Sequence, residues 1–360
     1  MLKTKNKIIL FLLVVFGVIM SVNITFFNNN KKVFAENSSE IVMEVSTGRV
    51  LYAKNINQKK FMASTTKILT AIIVIENCNL NDKVVVGKET VGIEGSSIYL
   101  EAGEILSVKD LLYGLMLRSG NDCAETLAVF CSGSIQKFAE KMNEKALEIG
   151  AINSHFVNPH GLHNDSHYTT AYDLALISRY AIKNNDFKEI VSTKRAVIPF
   201  STRNTKRVLL NKNKMLNSLD GATGIKTGFT KKAGRCLVTS CERNGIELVS
   251  VVLNCPPMFE RSKELLDNCF DNYLPRKIID SDNVIDFIDI NGSNEKMPVY
   301  VKNDVVLPLN DNEYKKLKIV YNINKDIKSP IVKNSEVGKI EFYIENNLIY
   351  TEKLYNMISI

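Results

Sequence analysis

Ser64 and Lys67 lie three residues apart in Ala63-Ser64-Thr65-Thr66-Lys67, directly before the apolar run Ile68 to Ile75. If that run is a helix, both side chains fall on one face, a hydroxyl with an amine beside it. A serine hydroxyl is a poor nucleophile until a base takes its proton. A lysine can be that base only when neutral, which burial and a neighbouring cation favour. Spacing alone is weak evidence, because Ser134/Lys137 and Ser293/Lys296 repeat it. An isolated pair of this kind reads as a helix cap or a surface turn.

Ser64 is set apart by its company. Ser119-Gly120-Asn121 follows it, then Lys226-Thr227-Gly228. The three groups in this order resemble the set carried by penicillin-binding proteins and β-lactamases, with Gly120 where the general pattern has aspartate. The chain resembles the serine D-alanyl-D-alanine carboxypeptidases, the low-molecular-weight penicillin-binding proteins, in which glycine is usual there. The likeness runs from about Glu40 to Cys255 and takes in Phe156-Val157-Asn158-Pro159-His160-Gly161-Leu162 and Thr170-Ala171-Tyr172-Asp173-Leu174.

That resemblance implies Ser64 as nucleophile, Lys67 as its base and Lys226 as the neighbouring cation. Ser119 would relay a proton to the leaving amine, and Asn121 would hold Lys67 and the substrate amide by hydrogen bonds. It also implies an oxyanion hole from the backbone N–H groups of Ser64 and Phe229. Thr227 with Lys226 would receive the substrate's terminal carboxylate, and Gly228 would let its backbone approach the strand. The expected reaction removes the terminal D-alanine of peptidoglycan stem peptides through an acyl-serine. β-Lactam antibiotics are expected as covalent inhibitors, with no metal or organic cofactor.

Three rivals remain. A β-lactamase of the related fold needs a deacylating glutamate, and residues 158–173 contain none. A transpeptidase, passing the acyl group to an amine, has the same motifs. A catalytically silent wall-binding or spore-associated protein would leave the intact reactive positions unexplained.

The positioning elements follow from local pattern. Ile41 to Val45 and Arg49 to Ala53 flank Ser46-Thr47-Gly48 as a hairpin. The Ser64 helix is apolar almost all round and therefore buried. Ser107 to Asp110 and Thr170 to Asp173 are capping boxes opening helices, and a helix break falls at Ser119-Gly120-Asn121 with a new helix from Asp122 to Phe130. An amphipathic helix runs from Ser134 to Ile149, closed by Gly150. Arg195 to Phe200, Lys206 to Leu210, Arg235 to Cys241 and Ile246 to Leu253 read as strands, the last two joined at Asn244-Gly245. A helix from Phe259 to Tyr273 follows. Strands at both ends with helices between predict an α+β domain with a largely antiparallel sheet. The family likeness makes this a β-lactamase/transpeptidase-like domain, with helices on both faces of the sheet and a helical subdomain. From Pro275 onward the pattern is a small all-β domain, with Met297 to Val301, Leu317 to Tyr321 and Lys339 to Tyr343 as strands. The expected division is 1–35 signal peptide, 36–274 catalytic domain and 275–360 β-rich domain.

Lys3, Lys5 and Lys7 precede the apolar stretch Ile8 to Met20, and Val33-Phe34-Ala35 offers a secretory cleavage site before Glu36. An uncleaved anchor reaching Phe27 is the competing reading. Either way the protein is expected at the outer face of the membrane or in the wall. Removing residues 1–35 takes away five lysines and no acids, so the formal charge falls from +7 to +2 and no nucleic-acid footprint remains. The tail, Lys353 to Ile360, is too short for an amphipathic membrane helix, which leaves peripheral membrane contact open. Seven scattered cysteines read mainly as buried thiols. The four histidines, 155, 160, 163 and 167, could suggest a metal, but Pro159 and Gly161 interrupt any helical register and a loop role is expected. Arg203 and Lys212 read as solvated surface cations.

Overall fold

Two β-rich runs meet at Gly48, whose φ of +78° turns the chain, and they pair as β1 (Ser39–Glu44) and β2 (Val50–Lys54). The computed structural model describes residues 37–281, 283–290, 296–324 and 327–359; the leader and Ser293 lie outside them. A second hairpin forms at Asn244 and Gly245, with φ of +52° and +79°, the left-handed pair that a tight hairpin turn requires. It joins β8 (Gly234–Arg243) to β9 (Ile246–Leu253), and β7 (Ala222–Thr230) precedes them. The sheet is antiparallel throughout, in the order β2-β1-β9-β8-β7, so β7 is an edge.

Alternate residues of these strands serve opposite faces. Ile41, Met43, Cys236, Val238, Val249 and Val251 point into the large core, shared with the middle of the chain. There α1 (Lys67–Asn77) is central, every residue from Lys67 to Val74 being buried. Ser64 itself sits in a single 3₁₀ turn, Ala63–Thr66, that feeds α1. The expected α-helical start is thus wound tighter, which still stacks Ser64 and Lys67 on one side.

Around α1 pack α2 (Val108–Leu117), α3 (Asn121–Ser132), α4 (Ile135–Ile149), α5 (Ala171–Ile182) and α6 (Asn185–Ser192). The Ser107/Asp110 box is reciprocal, Asp110 N–H donating to Ser107 Oγ (3.0 Å) and Ser107 N–H to Asp110 Oδ2 (3.1 Å). The Thr170/Asp173 box is a correction: only the Thr170 half forms. Asp173 Oδ2 is taken instead by Asn153 N–H (2.7 Å) and Ser154 Oγ (2.8 Å). A tertiary partner outcompetes the local one, and α6 likewise lay outside the sequence reading.

Two small ladders frame this subdomain, β3 (Lys83–Val85) with β4 (Ile105–Ser107) and β5 (Arg195–Phe200) with β6 (Thr205–Leu210). The short α7 (Met215–Ser218) leads into β7. On the sheet's other face lies α8 (Met258–Asn272), whose Ser262 Oγ meets Ser250 Oγ at 3.2 Å and whose Leu265 and Leu266 are buried. The sheet therefore carries helices on both faces.

Among the described residues the C-terminal part is all-β apart from one short helix. β10 (Leu274–Ile279) pairs with β13 (Val305–Leu309), and β11 (Asp286–Asp289), β12 (Lys296–Tyr300), β16 (Asn347–Asn356), β15 (Glu336–Ile344) and β14 (Leu317–Ile323) form a five-stranded sheet in that order. Met297, Val299, Leu307, Ile340, Phe342 and Leu354 build its own core. α9 (Asp311–Lys316), absent from the sequence reading, carries Glu313, which pairs with Arg49.

Gly161 fixes how the 158–162 loop meets the Ser64 turn. Its φ is +84°, and a Cβ there would stand 1.9 Å from Ala63 O and 2.8 Å from Thr66 Oγ1. Gly161→Ala adds a left-handed alanine, about 1–2 kcal/mol, to a backbone collision, about 1–3 kcal/mol. A fall of about 3 kcal/mol in unfolding free energy is expected from urea titration. Gly150→Ala is the control: φ is +92° but its nearest neighbour is Leu176 Cδ1 at 4.0 Å, so only the first cost applies. Equal losses in the two variants would refute the wedge.

Candidate active site

Lys67 ends in a fully buried amine. Nζ stands 2.7 Å from Asn121 Oδ1, 2.7 Å from the carbonyl oxygen of His160 and 3.2 Å from Ser64 Oγ. A neutral amine has two N–H bonds and one lone pair. The two carbonyl oxygens can only accept, so they take the two N–H groups and leave the lone pair facing the serine. Burial, and after it the Lys226 cation, hold the Lys67 pKa well below that of an ordinary lysine, which favours this neutral state.

The serine turn is held from several sides. Ala63, just before Ser64, has φ of +48°, a conformation that costs a non-glycine residue about 1–3 kcal/mol and needs surrounding structure to persist. Thr65 Oγ1 donates to Met62 O (2.6 Å) and Thr66 Oγ1 to Ala63 O (2.9 Å). His167 braces the turn from outside: Nδ1 accepts from Val157 N–H (3.1 Å), so the proton is on Nε2, which donates to Thr66 Oγ1 (2.8 Å). Burial pushes the His167 pKa down to about 3 and keeps the ring neutral.

On the opposite side Gly228 seats β7 against the same turn. A Cβ at Gly228 would lie 3.0 Å from Met62 O and 3.2 Å from Ser64 N. The close approach it permits is therefore to the serine turn, a different reason for glycine than substrate access. Beside it Lys226 is 1% exposed, and Nζ donates to Thr227 O (2.9 Å). Burial first, then the charge of Lys212, lower the Lys226 pKa to about 7. Thr227 is half-buried and Phe229 is 59% exposed on this edge strand.

Ser119 and Asn121 mark the junction of α2 and α3. Ser119 is buried with φ of +66°, and Asn121 opens α3. Asn121 Nδ2 donates to Glu94 O (2.5 Å) and its N–H to Ser96 O (2.7 Å). Asp122 completes the clamp, its Oδ2 accepting from Ile98 N–H and Leu100 N–H, each at 3.1 Å. The 94–100 segment is thus fastened to the helix start that holds Lys67.

The other two serine–lysine pairs are elsewhere. Ser134 caps α4, its Oγ accepting from Lys137 N–H at 3.2 Å, beyond the end of α3 and about 18 Å of helix from Asn121. Lys296 opens β12, and its partner Ser293 lies outside the described residues. The histidines serve the loop: His160 Nε2 meets Glu125 Oε1 at 3.1 Å and its Nδ1 accepts from Leu162 N–H at 3.1 Å. Arg203 is a surface cation paired with Glu101. Lys212 is not merely solvated, because Nζ donates to Ser96 Oγ (3.1 Å) and its charge bears on both buried lysines. His160 contributes through a backbone oxygen, which no side-chain pattern announces.

Comparison with known proteins gives the family. The profile of the D-alanyl-D-alanine carboxypeptidase family matches residues 27–256, and that of the penicillin-binding protein 5 C-terminal domain matches 273–359. The chain is 30% identical to the D-alanyl-D-alanine carboxypeptidase DacF of Bacillus subtilis, over 85% of this chain and 81% of that one. Among solved structures, penicillin binding protein 5 from Haemophilus influenzae superposes with a TM-score of 0.77 at 27% identity, covering 89% of this chain and 96% of that one. A mutant of the Streptomyces K15 DD-transpeptidase superposes with a TM-score of 0.60 at 33% identity, covering 64% and 95%. The chain belongs to the D-alanyl-D-alanine carboxypeptidase family, the low-molecular-weight penicillin-binding proteins.

Proposed function

We propose that this chain is exported, with cleavage after Ala35, and removes the terminal D-alanine of peptidoglycan stem peptides through an acyl-Ser64 intermediate. Residues 36–274 would be the catalytic domain and 275–360 the β-rich domain. The observation that carries the reading is the 3.2 Å approach of Ser64 Oγ to a buried amine whose two N–H groups already have acceptors. Ser64 passes its proton to Lys67 Nζ as Oγ bonds to the substrate carbonyl carbon. The resulting oxyanion faces the N–H groups of Ser64 and Phe229, each such donor being worth about 2.7–4 kcal/mol. The C–N bond then breaks, the departing D-alanine amine takes a proton from Lys67 by way of Ser119, and water hydrolyses the ester.

Lys226 and Thr227 receive the substrate carboxylate, and Gly228 keeps their strand against the serine turn. A penicillin, a strained amide of similar outline, acylates the same serine. Transfer to an amine instead of water is the second reading, since the Streptomyces K15 protein at 33% identity is titled a DD-transpeptidase.

Benzylpenicillin is expected to add its own mass to the wild-type chain and nothing to Ser64→Ala, read by intact mass spectrometry. An unlabelled wild type or a labelled variant would sink the assignment. Release of D-alanine from diacetyl-Lys-D-Ala-D-Ala then tests the carboxypeptidase reading, and an added amine acceptor that captures most of the acyl group would favour transfer.

The two lysines must carry opposite charge states, Lys67 neutral and Lys226 cationic. The rate therefore rises with pH as Lys67 loses its proton and falls as Lys226 does. With Lys226 near 7 in the free enzyme, the second-order acylation rate should be bell-shaped with a descending limb near neutrality. An arginine stays charged throughout this range. Lys226→Arg is expected to lower the maximum and to remove the descending limb from the neutral range, because the guanidinium keeps its charge there. A limb that stays in place would assign it to another group.

A further inference from the structure

Three strips of chain that meet at the serine turn continue past it to one place. Residues 59–61 lead into Ala63 and Ser64, residues 163–168 prolong the loop whose His160 carbonyl takes a Lys67 N–H, and Lys232 and Ala233 lie in the turn after β7. Between them is a cavity of about 430 Å³, lined by Lys59, Lys60, Phe61, Tyr168, Lys232 and a single acid, Asp165. Its walls are fixed. Lys60 N–H donates to Thr169 O (2.7 Å) and Thr169 N–H to Lys60 O (3.0 Å), which clamps the first strip to the second. The Phe61 ring meets the His163 ring edge-on at 4.7 Å, and Ala233 N–H donates to Thr230 Oγ1 (3.0 Å) across the β7–β8 turn.

The charge of the cavity is lopsided. Three lysines face one carboxylate, and Asp165 Oδ1 already stands 3.3 Å from His163 Nε2. Lys59 Nζ lies over the Tyr168 ring, 4.2 Å from its centre, and Lys60 Nζ donates to Asn37 O (2.9 Å). An aromatic face and a carbonyl oxygen place these ammonium groups without neutralising them. Lys59 and Lys232 are exposed to an incoming ligand.

We infer that this cavity is the subsite for a carboxylate that the stem peptide carries upstream of its terminal D-Ala-D-Ala pair, on the side chain of the preceding residue. The inference rests on the reading of Ser64 given above, because that reading sets the direction of the substrate. With the terminal carboxylate at Lys226 and Thr227 and the oxyanion at the N–H groups of Ser64 and Phe229, the peptide runs antiparallel to β7. Its upstream residues therefore pass Phe229 toward Lys232. Phe61 precedes Ser64 by three residues and Lys232 follows Phe229 by three, so about 11 Å of chain at most separates the cavity wall from either donor. One substrate residue covers about 3.8 Å of that path, and a long straight side chain covers the rest. Phe61 and Tyr168 offer apolar faces to its methylene groups while the lysines meet its carboxylate.

The test measures binding to Ser64→Ala, which cannot turn the peptide over. Acetyl-L-α-aminopimelyl-D-Ala-D-Ala is compared with the same peptide amidated at its side-chain carboxylate, and dissociation constants are read by ligand-observed NMR. A second acid and amide pair, built on acetyl-γ-D-glutamyl-Nε-acetyl-L-lysyl-D-Ala-D-Ala, moves the carboxylate one residue further upstream. The aminopimelyl acid should bind about five-fold more tightly than its amide at low salt. That ratio should fall toward one in about 0.5 M sodium chloride and when Lys59→Ala and Lys232→Ala are added, and it should invert with Lys59→Glu and Lys232→Glu. A preference shown by the glutamyl acid instead, and lost with the same lysines, would keep the subsite and move its carboxylate to the earlier residue. Neither acid preferred over its amide, or a preference untouched by the lysine substitutions, would overturn the inference. D-alanine release from the aminopimelyl amide by the wild-type chain reports on Ser64 separately, because it needs no upstream carboxylate.

Discussion

An ammonium group loses most of its hydration when it is buried, and a protein interior tolerates one only if it is paired or made neutral. Lys67 is fully buried and, among the described residues, no carboxylate hydrogen-bonds its Nζ; its close partners are Asn121 Oδ1, the His160 carbonyl and Ser64 Oγ. This arrangement tolerates the neutral amine and penalises the charged one. Much of the fold can be traced from it. The apolar body of α1 removes water from below, the start of α3 supplies one carbonyl, the 158–162 loop supplies the other, and β7 brings a second lysine close enough to disfavour the charge.

Those pieces come from distant parts of the chain, so their convergence has to be enforced by contact. Gly161 and Gly228 do this from two sides, each lying where a side chain would strike the backbone of the serine turn. Close packing of this kind makes the turn hard to move, and that rigidity sustains the left-handed backbone at Ala63 and Ser119. Strain at two non-glycine residues flanking the reactive groups is stability given up for position.

The electrostatics have one direction. Lys226 and Lys212 both lower Lys67, and Lys212 lowers Lys226, while nearby acids are committed elsewhere: Asp122 to the N–H groups of Ile98 and Leu100, and Glu125 to His160. A site with surplus positive potential is suited to an anionic ligand.

The sequence by itself determined most of the elements, α6 and α9 excepted, and singled out Ser64, Lys67, Asn121 and Lys226 among the residues the fold draws together. A continuous apolar run located α1, capping residues located α2, α4 and α5, and Asn244-Gly245 located the β8–β9 turn, because each depends on neighbours within a few residues. The order of Ser64, Ser119 and Lys226 carried the family likeness. What only the tertiary structure decided depends on residues far apart in the chain. Asp173 abandons its local cap for Asn153 and Ser154, Lys212 turns out to face the buried lysines, and Gly228 proves to be a contact with the serine turn. The His160 carbonyl that takes one of the Lys67 N–H groups was invisible beforehand, since every residue carries such an oxygen and only the folded chain selects which one meets the amine.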